Sequence, residues 1–495
     1  MKGPSRKFWI GLAIVLIAGL GLRIWYVTTY EFAGFKQFGK QCQGQQDYKG
    51  CTHFFNHEIA VGIGGDALYY HDQAHLLLSG KFFILPSAYY TNGKNEPSAS
   101  HPPLYTIVLA GEDLLGLTTV DDQRIAGCIL GDLSVLVIAL AARRIFGNKV
   151  SLAAALVGAL YPGLWIFDGT DMSEVVSILA VAYLIHEAYR FWKAPTRRKA
   201  AWLGVVVALT SYARSELILL EALVVFPLCL FAFKRSSDQS HTTIDSPSSS
   251  GPIPLLAKGS GDRFGKGGKL REPLVLVSIS IAGLAIALGP WIGFNMARFT
   301  NPELLSTQLG MTIAVSNCKT VYYGEFTGFW DLPTCLIHRT PIPSIGPPPK
   351  HVDESVLDSY WRKVGLNYIG ANLSRLPQVI VAREGRVWWL YQSQQQVNLN
   401  AFVEQWNRGA TEAFRWTFYL LTPFAVVGLF VMRRKFNIPI SPLLGPVIVV
   451  CTAVFITYGT TRFQSAAEPS IVAASAAGIV WLSEQVFGRS ARLSK

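Results

Sequence analysis

The stretch FWIGLAIVLIAGLGLRIWYVT, residues 8–28, is the first long apolar segment of the chain and decides its fold class. About 20 predominantly apolar residues suffice for a helix that crosses the hydrocarbon core of a bilayer. The stretch follows Lys2, Arg6 and Lys7, is too long for a signal-peptide core and lacks a small-residue cleavage site. We therefore expect it to remain in the protein as a transmembrane helix.

Further apolar spans follow this one, and the composition agrees with them. Half of the 495 residues are hydrophobic and only 15% are charged, a balance typical of polytopic membrane proteins. The chain is therefore predicted to be an all-α membrane protein of about ten transmembrane helices. The later spans lie near 125–142, 150–168, 173–189, 200–216, 217–233, 273–294, 413–432, 440–460 and 468–487.

The formal net charge of +12 could indicate a nucleic-acid partner, but the distribution of the charge argues against one. More than half of the 44 Lys and Arg residues fall in short clusters at every second span boundary. This is the positive-inside pattern, and it places both termini in the cytoplasm of a multi-pass plasma-membrane protein. The clusters lie at the N-terminus and within 143–149, 190–199, 234–271, 433–435 and 489–495.

Residues 102–117 form an apolar segment that tests this topology. The segment is short and carries Glu112 and Asp113. If it crossed the bilayer, every later basic cluster would lie on the outer side. We therefore predict an interfacial helix on the extracytoplasmic face.

The spans divide the chain into three parts. An N-terminal transmembrane module, 1–233, carries the first outer loop, 29–124. A cytoplasmic linker, 234–272, is rich in Ser, Gly, Pro and Lys and is predicted to be disordered. A C-terminal transmembrane module, 273–495, carries a second outer region, 295–412.

Four cysteines lie in the predicted outer loops, Cys42 and Cys51 in the first and Cys318 and Cys335 in the second. Even numbers of cysteines on the outer face favour disulfides in an oxidising compartment. A zinc site is the alternative, but neither pair has Cys-x-x-Cys spacing. His71 and His75 are spaced like the histidines of a zinc protease, yet the sequence offers no third ligand.

The residues most suggestive of chemistry begin with Gly64-Gly65-Asp66, which is followed by Tyr69-Tyr70 and opens an amphipathic helix at 67–78. Asp66 could be a helix N-cap or a functional carboxylate. The turn that holds Asp171 and Glu174 could likewise cap a helix or direct a second acidic group at the same outer cavity.

Several arginines are predicted to lie near the outer membrane surface. Each could simply extend to the interface, or together they could clamp a phosphate, because a guanidinium group binds phosphate in a forked geometry. These residues are Arg214, Arg383, Arg386 and Arg462.

Together these residues resemble the GT-C superfamily of membrane glycosyltransferases. The branch they resemble most contains the protein O-mannosyltransferases and the lipid A aminoarabinose transferases of glycosyltransferase family 39. The resemblance rests on Asp66 with Tyr69-Tyr70, His101-Pro102-Pro103-Leu104, Arg124, Glu174 and Arg462 followed by Pro469. His101 stands where lysine is common in the family, and the second outer region looks like that of an actinobacterial branch.

The resemblance implies a GT-C-like bundle and an inverting transferase that moves a sugar from a polyprenyl-phosphate donor to an acceptor hydroxyl on protein, lipid or glycan. It implies Asp66 and Glu174 as catalytic residues and Tyr69, Tyr70 and Asp171 as substrate-binding residues. No cofactor is expected to be required, and a divalent metal is possible but not indicated. The residues expected to bind the donor phosphate are His101, Arg124, Arg214, Arg383, Arg386 and Arg462.

Three other kinds of membrane protein would be compatible with about ten transmembrane helices. A transporter or lipid-linked sugar flippase would favour charged residues and repeats at the membrane midplane, and the sequence shows no internal repeat. A polymerase or ligase with a diphosphate donor would not depend on Asp66. A structural membrane subunit would need none of these residues.

Overall fold

The computed structural model describes residues 5–31, 63–230, 271–337 and 345–493. Within these ranges the regular structure is helical, and extended backbone pairs as an isolated bridge between Ile84 and Pro97. The predicted all-α class is therefore confirmed. The cysteines at 42 and 51 and nearly all of the predicted linker lie outside the described residues.

The helices of the first half are α1 (Arg6–Tyr26), α2 (Gly65–Leu78), α3 (Pro86–Asn92), α4 (Leu104–Leu114), α5 (Val120–Phe146), α6 (Asn148–Leu160), α7 (Pro162–Trp165), α8 (Glu174–Lys193) and α9 (Arg197–Ala213). The helices of the second half are α10 (Arg271–Met296), α11 (Leu309–Val315), α12 (Lys319–Tyr322), α13 (Glu354–Ala371), α14 (Leu376–Val387), α15 (Ser393–Val403), α16 (Arg408–Arg434), α17 (Ser441–Ile456) and α18 (Glu468–Leu493). Shorter 3₁₀ turns occupy Ser215–Leu219 and Thr461–Ala467.

Six helices in the described part of the chain are long and apolar enough to cross a membrane, and each coincides with a predicted span. They cover Arg6–Glu31, Val120–Phe146, Glu174–Lys193, Glu272–Met296, Arg408–Arg434 and Thr461–Val486. The spans predicted near 150–168 and 440–460 are shorter apolar helices, α6 and α17. Helix α6 ends at Leu160 because Pro162 cannot continue its hydrogen-bond ladder.

The segment predicted to lie at the interface forms α4, whose 11 residues are too few to cross a bilayer. Its two acidic residues are buried against neighbouring helices. Asp113 accepts a hydrogen bond of 3.0 Å from Gln123 and lies 3.1 Å from Nδ1 of His75. The C-terminal end of α4 therefore contacts α2 and α5 through polar side chains.

The predicted second outer region contains a disulfide between Cys318 and Cys335, one of the two cysteine pairs expected from the sequence. Next to the disulfide, Arg383 donates hydrogen bonds to the carbonyl oxygens of Ser316 and Phe455, at 2.7 and 3.2 Å. The outer region is thereby tied to the end of α17.

Close helix contacts in the bundle depend on glycine. Gly428 of α16 and Gly478 of α18 face each other, and a Cβ atom built on Gly428 would lie 2.0 Å from the carbonyl oxygen of Ala474. Small residues allow membrane helices to approach to backbone contact, where dispersion forces are strongest. Gly21 of α1 has no atom within 4 Å of the equivalent position.

We expect Gly428→Ala to destabilise the protein by about 1–3 kcal/mol, because α16 and α18 must separate to admit the methyl group. Gly21→Ala is the matched control and should be neutral or slightly stabilising. Thermal unfolding of both variants in the same detergent measures the difference. Equal melting temperatures would contradict the described packing.

Candidate active site

Asp66 lies in the first turn of α2, where a tight turn directs it toward the bundle. The N-cap of α2 is Gly64, so the interpretation of Asp66 as the N-cap is wrong. Gly65 has a φ of +60°, a conformation that other residues rarely adopt. The turn at Gly65 therefore directs the Asp66 carboxylate toward the 3₁₀ turn that precedes α18.

Arg462 joins Asp66 to two further carboxylates. Its Nη1 lies 3.0 Å from Oδ2 of Asp66 and 3.9 Å from Oε2 of Glu404, and its Nε donates a hydrogen bond to Glu174. The four side chains come from α2, the start of α8, the end of α15 and the 3₁₀ turn that precedes α18. A single guanidinium group thus connects four segments that are distant in sequence.

Arg214 supplies a second cation on the far side of Glu174. Its Nη1 donates to Oε1 of Glu174 at 2.7 Å, and its Nε donates to Oε1 of Glu216 at 2.6 Å. The same Glu174 oxygen also accepts from Arg462, so this carboxylate fixes the relative positions of the two arginines. Its side chain is only 1% exposed and is therefore closed to a substrate.

His101 lies on the other side of Asp66, with Nε2 3.4 Å from Oδ1. Its ring packs against the rings of Tyr69 and Tyr70, with centroids 5.0 and 4.7 Å away. The Asp66 side chain is 33% exposed, against 1% for Glu174 and 7% for Glu404. Among the three carboxylates, Asp66 is the one that a substrate can reach.

The cluster shifts two acid dissociation constants in opposite directions. Burial raises the pKa of Asp66, but His101 and Arg462 outweigh it and hold that pKa well below its ordinary value. Burial raises the pKa of Glu404 to about 7; Arg462 opposes this shift, and the charges of Glu174 and Asp66 reinforce it. Asp66 is therefore ionised at neutral pH, whereas Glu404 titrates there.

Arg124 and Asp171 form a separate pair beside this cluster. The Nε of Arg124 lies 2.8 Å from Oδ2 of Asp171, and its Nη1 donates to the carbonyl oxygen of Glu31 at 3.0 Å. Asp171 is buried and has a φ of +52°, so the turn before α8 is held by this ion pair. The structure does not bring the two residues into contact with Asp66.

Arg383 and Arg386 of α14 also stand apart from Asp66. Both are fully buried, and Arg386 donates to the carbonyl oxygens of Thr327 and Glu325 at 2.8 and 3.0 Å. Their guanidinium groups therefore hold the second outer region together.

The histidines spaced like those of a zinc protease contact two different side chains. Nδ1 of His71 lies 2.7 Å from Gln123, and His75 faces Asp113.

Glu404 is the member of the cluster that the sequence did not predict. It follows α15 in the sequence Phe-Val-Glu-Gln-Trp, which matches no motif. Only the fold brings it to Arg462.

We expect Glu404→Gln to change stability in a pH-dependent way. Folding favours the protonated form of Glu404, so its contribution is fully present below the unfolded pKa, near 4.5, and is lost as the pH rises through about 7. The Glu404→Gln variant should match the wild type at about pH 4 and exceed it by about 1–3 kcal/mol at pH 8. Thermal unfolding across this range is the measurement.

The control is Glu96→Gln, at a half-exposed carboxylate that pairs with Lys94 on the surface. Its difference from the wild type should hardly vary with pH. A Glu404→Gln difference that is equally independent of pH would contradict the assignment.

One protein-family sequence model matches part of the chain. Residues 100–244, which include His101, Arg124, Glu174 and Arg214, match the sequence model of the dolichyl-phosphate-mannose-protein mannosyltransferases. No curated protein sequence matches the chain.

Two solved structures show distant likeness to this chain. One is the oligosaccharyltransferase AglB from Archaeoglobus fulgidus in complex with an inhibitory peptide and a dolichol-phosphate, with 12% identity and a TM-score of 0.47 over 99% of this chain and 51% of that one. The other is ArnT from Cupriavidus metallidurans bound to undecaprenyl phosphate, with 13% identity and a TM-score of 0.35 over 84% of this chain and 73% of that one. The chain spans about half the length of AglB.

The family match confirms the resemblance seen in the sequence: over residues 100–244, this chain is similar to the dolichyl-phosphate-mannose-protein mannosyltransferases.

Proposed function

We propose that the protein is an inverting glycosyltransferase that moves a sugar from a polyprenyl-phosphate donor to an acceptor hydroxyl on the extracytoplasmic face of the plasma membrane. The observation that carries the proposal is the partly exposed Asp66 carboxylate held between Arg462 and His101. This arrangement places a base next to a guanidinium group and an imidazole ring, which can both donate hydrogen bonds to a phosphate. The match to a family named for dolichyl-phosphate-mannose supports the donor class.

Asp66 is the proposed general base, because it is the exposed carboxylate of the cluster. The acceptor hydroxyl attacks the anomeric carbon from the face opposite the phosphate, and its proton passes to Asp66. The bond between the anomeric carbon and the phosphate oxygen breaks, and its electron pair leaves with the lipid phosphate. A carboxylate with a low pKa suffices because the hydroxyl becomes strongly acidic as its bond to the sugar forms.

His101, Arg214 and Arg462 are the groups proposed to stabilise the departing phosphate. Negative charge grows on the phosphate in the transition state, and prepositioned cations lower the barrier without having to reorganise. Glu174 holds the two guanidinium groups in place through one shared oxygen. Its proposed role is therefore positional, which refines the catalytic role implied by the family resemblance.

Tyr70 is only 1% exposed and is proposed to support the His101 ring, not to touch the substrate. Tyr69 is partly exposed beside His101 and is proposed to contact the sugar. An aromatic face beside the base suits a pyranose ring, whose C–H bonds pack on it. Arg124 and Asp171 pair with each other, and Arg383 and Arg386 bind backbone carbonyls. These four residues are left out of the proposed mechanism.

The first test uses purified protein in nanodiscs with radiolabelled polyprenyl-phosphate mannose. We expect the wild type to release or transfer mannose, and Asp66→Asn to lower the rate by about 10²–10⁴-fold because the base is lost. Glu96→Gln, at an exposed carboxylate in the same loop, is the control and should keep wild-type activity.

Full activity in a folded Asp66→Asn protein would contradict the assignment of the base. Transfer only from diphosphate donors, or transport of the donor without cleavage, would contradict the proposed reaction. Transfer from another polyprenyl-phosphate sugar, such as a pentose, would retain the reaction and change the sugar.

A further inference from the structure

Glu354, the first residue of α13, reaches from the second outer region to the segment that precedes His101. Its Oε1 accepts hydrogen bonds from the hydroxyl groups of Ser98 and Ser100, at 2.7 and 3.1 Å. Its Oε2 accepts from the backbone N–H of Ala99 at 2.9 Å and from the hydroxyl of Thr307 at 2.8 Å. One carboxylate thus receives four hydrogen bonds, and three of them come from residues 98–100.

Other contacts hold the same segment, including backbone hydrogen bonds of 2.9 Å from Ser98 to Phe83 and from Thr307 to Ala99. The hydroxyl groups of Tyr69 and Ser98 are 2.8 Å apart, which links the segment to α2 and so to Asp66. Arg298 donates to the carbonyl oxygen of Ser98 at 2.8 Å. Ser98 is completely buried in this network.

The position of His101 depends mainly on the residues that precede it, Ser98–Ser100. His101 is followed by two prolines, whose fixed φ angles restrict the chain on that side and also restrict His101 itself. The remaining freedom lies on the N-terminal side, at Ser98–Ser100. Glu354 accepts three hydrogen bonds from this segment, and hydrogen bonds to a carboxylate are stronger than those between neutral groups.

Asp353 shows that Glu354 is not simply a helix cap. Asp353 is the N-cap of α13, and its Oδ1 accepts from the backbone N–H groups of Ser355 and Val356, at 2.9 and 3.2 Å. Its other oxygen accepts from the backbone N–H of Thr300 at 2.9 Å. Asp353 therefore stabilises the helix end, while the neighbouring Glu354 is directed at the Ser98–Ser100 segment.

We propose that Glu354 is a positioning residue that holds His101 against Asp66 by fixing the Ser98–Ser100 segment. The effect of Glu354 on catalysis rests on the proposed function, in which His101 binds the donor phosphate. The second outer region then contributes directly to the geometry of a site formed otherwise by α2, α8 and the turn before α18.

The experiment begins with a readout that does not depend on catalysis. Protein labelled with isotopes in its histidines is compared by NMR in wild-type, Glu354→Ala and Asp353→Ala forms, with His101→Gln to identify the His101 signal. We expect Glu354→Ala to shift or broaden that signal and Asp353→Ala to leave it in place. An unchanged His101 signal in folded Glu354→Ala protein would overturn the inference.

Transfer kinetics then test the consequence. Glu354→Ala should raise the KM for polyprenyl-phosphate mannose and lower kcat/KM by up to about 100-fold, as expected for a misplaced binding group. Glu354→Gln retains the shape of the side chain and should recover part of this loss. Asp353→Ala should lower the melting temperature while leaving KM unchanged.

A double-variant comparison separates the two proposals. If Glu354 acts through His101, Glu354→Ala should add little to the loss already caused by His101→Gln. Full additivity of the two losses would overturn the inference. A wild type without transfer activity, in which Glu354→Ala still moves the His101 signal, would overturn the proposed function and leave the positioning role supported.

Discussion

The Arg462 guanidinium group is the interaction on which the site depends. It is mostly buried and meets Asp66, Glu174 and Glu404, three carboxylates from three separate segments. Charges removed from water are costly unless they are paired with good geometry. The start of α2, the start of α8 and the end of α15 must therefore meet at the turn before α18 for the Arg462 charge to be fully paired.

The cluster also gives each carboxylate a different chemical state. Asp66 is partly exposed between the His101 ring and the Arg462 guanidinium group. Glu174 is shielded between two arginines, and Glu404 is buried 3.9 Å from Arg462. When carboxyl groups in one site have different pKa values and exposures, these differences are used to assign acid, base and positioning roles. The proposed mechanism assigns Asp66 to the substrate and Glu174 to the arginines on this ground.

The sequence predicted the features that depend on local pattern. Long apolar stretches became long helices, the Gly-Gly-Asp stretch opened α2, and the cysteines at 318 and 335 formed a disulfide. The sequence could not distinguish Arg462 from Arg383. In the folded chain the Arg462 guanidinium contacts carboxylates, whereas that of Arg383 binds backbone carbonyls. Glu404 and Glu354 belong to no motif and act only through long-range contacts.

The most direct test of the central claim is a structure of the protein bound to a non-cleavable polyprenyl phosphonate analogue of the donor. The account predicts a phosphonate within hydrogen-bonding distance of His101 and of Arg214 or Arg462, with the anomeric carbon turned toward Asp66. A phosphonate bound elsewhere, with the sugar remote from Asp66, would contradict the account.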